Sequence, residues 1–140
     1  MGIKIKISSL ICAISLFIPC CIQAEYFLRL EQTALRNYWR FVCICKITGQ
    51  KIGYSVFNPT TGHLDYLAVR ANYTRNGYGK ILFDATEQYL RENAKTKKMF
   101  WESTPFTPYS PPQQALNTIY KKWGGIPNPQ NPNFFTKLLK

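Results

Sequence analysis

Residues 71–80, Ala-Asn-Tyr-Thr-Arg-Asn-Gly-Tyr-Gly-Lys, gather the side chains and backbone freedom that seat an anion. Gly77 and Gly79 let the chain bend tightly and bring several N–H groups together. Arg70, Arg75 and Lys80 stand around them, and no carboxylate lies between Asp65 and Asp84. Helices usually open with acidic residues, which complement the positive end of the peptide dipoles. The helix expected after this loop opens without one, and a glycine-rich bend leading into a helix suits a phosphate or pyrophosphate. Asn76-Gly77 also satisfies a plain hairpin turn. The helical period over residues 79–92 favours the anion seat.

A second pair of reactive side chains comes just before. His63 is the one histidine of the chain, and Asp65 follows two residues on. Strand alternation puts His63, Asp65, Leu67 and Val69 on one face. An imidazole, with a reference pKa near 6.5, suits proton removal at neutral pH, whereas a carboxylate would need a raised value. Beside Gly62, His63 equally fits a loop-edge residue. One His and five Cys exclude a His-rich catalytic zinc site, and no metal is expected.

The elements that must position these groups fit one domain. A chain of 140 residues, 46% apolar and 15% aromatic, can bury a core, which excludes disorder, a disulfide-stapled miniprotein and a two-domain enzyme. Residues 40–46 and 50–57, joined at Thr48-Gly49, predict a hairpin, and a third strand over 63–69 completes an antiparallel meander. The period then changes. Ile81, Leu82, Ala85, Tyr89 and Leu90 form the apolar stripe of a helix over 79–92, with Lys80/Asp84 and Glu87/Arg91 on the wet side. Residues 99–103 predict a central strand. Ser110-Pro111 predict the cap and first turn of a helix over 112–123, and residues 134–139 a closing edge strand. Residues 25–39 fit an amphipathic helix through Phe27, Leu30, Ala34 and Tyr38, although Tyr26-Leu28-Leu30 also fits a strand. Cys43 and Cys45 fall on one strand face, too close for an unstrained disulfide.

The chain opens with Lys4 and Lys6, an apolar run from 7 to 19, and Cys20-Cys21-Ile22-Gln23-Ala24. That order predicts a secretory signal over residues 1–24, cut after Ala24, with the folded domain over 25–140. A first strand leading into a buried helix, or a membrane anchor, would use the same residues. The run is short of the roughly 20 apolar residues of a spanning helix. Cleavage would leave 116 residues with charge +9, against +11 for the whole chain. The expected place is secreted or periplasmic if the leader is cut and cytoplasmic if it is kept, with membrane contact only transiently through the leader. The basic residues are scattered, Lys95, Lys97 and Lys98 in one cluster and Lys121 and Lys122 in another, which disfavours nucleic acid as a partner. An exported basic binder of nucleic acid or anionic surfaces stays as an alternative.

The order of these elements, with Thr74-Arg75-Asn76-Gly77-Tyr78-Gly79 and Tyr120-Lys121-Lys122-Trp123-Gly124, resembles the GNAT superfamily of acyl-CoA-dependent N-acetyltransferases across roughly residues 40–125. The family loop pattern of Gln or Arg, two residues, Gly, one residue, then Gly or Ala falls on Thr74, Gly77 and Gly79. It departs at Thr74, with Arg75 beside it, and Gly125 stands where Phe is usual. The resemblance implies an α+β fold, a mixed and mostly antiparallel central sheet flanked by helices, with a shortened N-terminal region. It implies acetyl-CoA as the acyl donor, its pyrophosphate held by the loop from Thr74 through Arg75, Asn76, Gly77, Tyr78 and Gly79 to Lys80. The pantetheine arm would pair with Leu67, Ala68 and Val69. A primary amine would attack directly, with His63 ahead of Asp65 as base and Tyr120 as the acid toward the thiolate. Tyr120 also shares helical spacing with Leu116, Ile119 and Trp123, as a core residue would. A catalytically inactive acyl-CoA-binding module is the nearer alternative. The acceptor is an amine of a small molecule or protein, and a positive surface mildly disfavours a cationic peptide.

Overall fold

The computed structural model describes residues 4–5, 25–93, 95–105 and 107–140, the first two as backbone only. The leader predicted over 1–24 lies outside the described residues, apart from Lys4 and Ile5.

Among the described residues eight strands form one sheet: β1 (Lys4–Ile5), β2 (Tyr26–Gln32), β3 (Trp39–Cys45), β4 (Lys51–Asn58), β5 (His63–Val69), β6 (Lys98–Glu102), β7 (Ile126–Pro127) and β8 (Phe134–Leu138). Their order is β1-β2-β3-β4-β5-β6-β8-β7. Every neighbouring pair is antiparallel except β5 and β6. Two helices, α1 (Tyr78–Asn93) and α2 (Gln113–Lys122), complete the mixed α+β fold expected from the sequence.

The hairpin, the third strand and α1 form within a residue or two of the predicted bounds. Three expectations are corrected. Residues 25–39 are not a helix: Tyr26 and Leu28 are buried while Phe27 and Arg29 are not, so the period of two prevails over that of three or four and β2 pairs with β3. The residues read as a closing edge strand form β8, which is internal, because Ile126 and Pro127 pair with Thr136 and Phe135 on its outer side. Ser110 does not cap α2. Its hydroxyl serves the turn with Thr107, and Pro112 takes the cap position without a side-chain bond. The helix is tied to the end of β6 instead, through Gln113 Nε2 donating to the Ser103 carbonyl at 2.6 Å.

Both helices cover the same face of the sheet. Phe83 of α1 meets Trp101 edge-on at 5.1 Å and packs against Tyr120 and Trp123, joining β6, α1 and the end of α2. Tyr26, Leu28, Phe41, Cys43, Phe57, Leu64 and Phe135 supply the sheet side of this core. Emptying such an aromatic site costs about 3–5 kcal/mol. One polar pair crosses the dry layer. Thr86 donates to the Leu82 carbonyl at 2.8 Å, so Ser55 donates to Thr86 Oγ1, at 2.7 Å. Cys43 and Cys45 share this face unbridged, and burial pushes the Cys43 thiol up to about 12. Gly125 is glycine for a packing reason: a Cβ there would lie 2.8 Å from the Trp101 ring and 2.9 Å from Phe135.

Candidate functional site

The parallel pair β5 and β6 is joined at one place. His63 is opposite Phe100, and Phe100 N–H donates to the Gly62 carbonyl at 3.0 Å. Beyond that bridge no pairing joins the two strands among the described residues, while β5 keeps its ladder with β4 and β6 its ladder with β8. The opening is a cleft of about 270 Å³ lined by His63, Asp65, Leu67, Trp101, Glu102 and Tyr120 among others. Along it the outer edge of β5 has no ladder partner among the described residues past His63.

A bulge interrupts β5 inside this cleft. Val56 pairs with Tyr66 and Phe57 with Leu64, leaving Asp65 as the extra residue. This corrects the expectation that His63, Asp65, Leu67 and Val69 share a face. Leu64 and Leu67 stand opposite Phe57 and Ser55, whose side chains face α1, while His63 and Tyr66 stand opposite Asn58 and Val56 on the other face. A bulge adds one residue to a period of two, and nothing in the sequence around Asp65 announces it.

The reactive side chains predicted from the sequence do meet at the cleft. His63 is half-buried, its ring stacked on Phe100 at 4.9 Å and 17°, and it makes no side-chain hydrogen bond among the described residues. Asp65 is exposed on the bulge. Tyr120 is both core and lining: it is 7% exposed, packed among Phe83, Trp101, Trp123 and Phe135, yet it borders the opening. Burial pushes its phenol up to about 12. Glu102 and Trp101 are among the lining residues that were not singled out from the sequence. Glu102 lies two residues past Phe100 on β6, and Trp101 has a buried indole N–H with no partner among the described residues. Their membership depends on where β6 pairs, which no local signal gives.

The anion-seat residues lie at the far end of β5. After Val69 a 3-10 turn, Ala71–Tyr73, leads to Thr74, whose hydroxyl donates to the Ala71 carbonyl at 2.9 Å. Arg75 and Gly77 take left-handed φ of 64° and 83°, so the chain coils sharply before α1. The helical ladder begins with Ile81 N–H to the Gly77 carbonyl, at 3.2 Å, which places the amides of Gly79 and Lys80 ahead of it at the open end. No acidic residue lies in that first turn. The Tyr78 ring is buried edge-on against Tyr26 and Tyr73, anchoring the start of α1 in the core. Lys80 is paired with Asp84 and its ammonium stands 5.9 Å from the Trp123 ring centre. A Cβ on Gly79 would meet Trp123 at 3.6 Å and Val69 at 3.9 Å, both ordinary contacts, so the protein's own packing does not demand glycine there.

Comparison with known proteins gives a family match and structural matches. The family model described as "Acetyltransferase (GNAT) family" matches residues 14–110, beginning within the stretch read as a leader and ending before Tyr120. A solved structure from Desulfovibrio desulfuricans, itself assigned to the GNAT family as an acetyltransferase, superposes with a TM-score of 0.58 at 15% identity. The superposition covers 74% of this chain and 71% of that one. No curated protein matches the chain.

Proposed function

Because the chain belongs to the GNAT acetyltransferase family, we propose that it moves an acetyl group from acetyl-CoA to a primary amine by direct attack. The amine nitrogen bonds to the thioester carbonyl carbon, the carbon–sulfur bond breaks, and the amine proton leaves through the base. The observation that carries this reading is the parting of β5 from β6 beyond His63 and Phe100. It exposes a strand edge, Leu67, Ala68 and Val69, to the amides of a pantetheine arm. The same strand ends in a glycine loop whose helix-end amides suit the pyrophosphate. Glycine at 79 is not required by internal packing, and its lack of a side chain would let that group approach the backbone closely. Thr74 is turned back onto Ala71, so Arg75, Asn76, Gly77, Tyr78 and Lys80 are the rest of the seat.

His63 is the proposed base, acting through water. An amine resembling lysine is about 3.4 units above pH 7, so forming its free base costs about 4.6 kcal/mol, and an imidazole is better matched to that proton than an exposed carboxylate. Tyr120 is the proposed donor to the leaving sulfur. With the phenol near 12 and a thiol near 8.5, complete transfer would be uphill by about 3.5 units, roughly 5 kcal/mol. Tyr120 therefore hydrogen-bonds the departing thiolate rather than surrendering its proton to it. No covalent enzyme intermediate is needed.

The test is thermal unfolding of the full chain with acetyl-CoA, followed by an acetyl-transfer assay on a panel of amines. Stabilisation by acetyl-CoA and product formation are expected, without salt-sensitive binding to DNA or RNA. Binding with no transfer to any amine would favour an acyl-CoA-binding module. Residues 1–24 are proposed as an export signal. Sequencing the N-terminus of protein recovered outside the cytoplasm should give Glu25 first, and recovery only as uncut cytoplasmic chain would reverse the assignment.

A further inference from the structure

His63 is proposed as the base, yet nothing of the common kind holds its ring. A general base is ordinarily oriented by a third group hydrogen-bonded to its far nitrogen. The His63 backbone N–H donates to Thr61 Oγ1 at 3.3 Å, but among the described residues the imidazole has no hydrogen bond or ion pair. Asp65 supplies none, since that side chain is exposed on the bulge. An imidazole free to turn would often face away from the amine, and misplacement of a reacting group by about 1 Å costs rate steeply.

What the imidazole meets is another ring. It lies flat on Phe100, with centroids 4.9 Å apart and planes 17° from parallel, within the range of aromatic stacking. The pair is built from the backbone outward. His63 and Phe100 form the bridge between β5 and β6, and Phe100 N–H donates to the Gly62 carbonyl at 3.0 Å. Gly62, at a φ of 82°, lets the chain come this close, since a Cβ there would collide with the Lys98 carbonyl. Beside Phe100 stands Phe134 of β8, 5.8 Å away and tilted by 30°, a diagonal neighbour on the same sheet face. Three rings from three strands thus stand in a row, and His63 ends it at the cleft. Stacking covers the face of an imidazole and leaves both edge nitrogens open, whereas a hydrogen-bonded partner would occupy one of them.

We infer that Phe100 is the positioning residue of the base: its ring fixes the plane of the His63 imidazole at the mouth of the cleft, where a hydrogen-bond acceptor would ordinarily do so. This rests on His63 acting as the base of acetyl transfer. Phe100 is not itself part of the cleft lining, so its effect on the reaction passes through His63.

The chain has one histidine, so its imidazole C–H signals stand alone in the proton NMR spectrum of the full chain. In the unaltered protein they should show through-space contacts to the Phe100 ring and lie upfield of their positions in Phe100→Leu, which keeps an apolar side chain at this half-buried site. Absence of those contacts overturns the inference without recourse to any variant. In steady-state transfer, Phe100→Leu should lower kcat about tenfold and leave the KM for acetyl-CoA unchanged. Phe100→Tyr, which retains a ring, should restore kcat. Placed in a His63→Ala background, Phe100→Leu should cost nothing further, because two residues that act as a unit are not additive. An equal loss in both backgrounds would assign the effect to sheet packing and overturn the inference, as would an undiminished kcat in Phe100→Leu. In either case a slow His63→Ala enzyme leaves the base in place. An undiminished kcat in His63→Ala, or no acetyl transfer by the unaltered protein to any amine, removes the reading beneath the inference and the inference with it.

Discussion

The two ends of β5 are built with opposite charge. At the end past Val69, Arg70, Arg75 and Lys80 surround a coiled glycine loop and the start of α1, and the only carboxylate nearby is Asp84, already tied to Lys80. At the His63 end, Asp65 and Glu102 face an opening that no described Lys or Arg lines. One strand thus separates a loop rich in cationic residues from an opening lined by two carboxylates. The lesson concerns net charge. A total of +11 describes the solvent-facing surface and predicts neither end.

The hardest blow to this contrast is Gly77→Asp. A carboxylate about 4 Å from a phosphate at an effective dielectric near 20 costs about 4 kcal/mol, so acetyl-CoA affinity should fall roughly a thousandfold. Asn tolerates left-handed φ about as well as Asp, so Gly77→Asn should lose far less. Equal losses in a binding titration would assign the effect to backbone strain and dissolve the anion seat.

Next in size is His63→Ala. It should lower kcat/KM about a hundredfold without changing acetyl-CoA affinity. A fall in acetyl-CoA affinity instead would show that the two ends do not act separately.

Tyr120→Phe should reduce kcat about tenfold and spare acetyl-CoA binding, the loss of one hydrogen bond to the leaving sulfur. Alkali probes the same phenol. Its value is raised from 10 to about 12 in the folded chain, so the folded state keeps its proton more tightly than the unfolded one. The stability this confers is whole below pH 10 and is lost as pH climbs toward 12, by about 2–3 kcal/mol. Tyr120→Phe should flatten that part of the curve of stability against pH. An unchanged alkaline slope would mean that the phenol is wetter than its packing implies.

The smallest expected effect is Arg75→Ala, a roughly threefold rise in the KM for acetyl-CoA that fades at high salt, as screening of an exposed cation requires. A salt-independent change would point to the left-handed turn at Arg75 rather than to its charge.

Much of this arrangement is legible without coordinates. The glycine loop, the helix behind it and the meander ahead of it are local patterns, and each forms where its period places it. Around β2, Phe27, Leu30, Ala34 and Tyr38 imitate a helical stripe, while Tyr26, Leu28 and Leu30 fit the strand equally well. Pairing with β3 decides for the strand, since it satisfies the backbone and buries Tyr26 and Leu28 together. The failure at Asp65 is different in kind. A bulge is a property of two strands in register, and no residue of β5 read alone marks where the extra one lies.

The sequence by itself determined which residue types could act: one imidazole, a cationic glycine loop, and a tyrosine on a helix whose spacing fits core and site alike. Only the tertiary structure decided that His63, Tyr120, Asp65 and Glu102 line one opening. The opening lies where β5 and β6 stop pairing after a single bridge, while β6 stays paired along its other edge with β8, a strand more than thirty residues further along the chain. Local propensity extends over a turn or a few strand residues, whereas where two strands pair, and where that pairing stops, is set between segments distant in the chain.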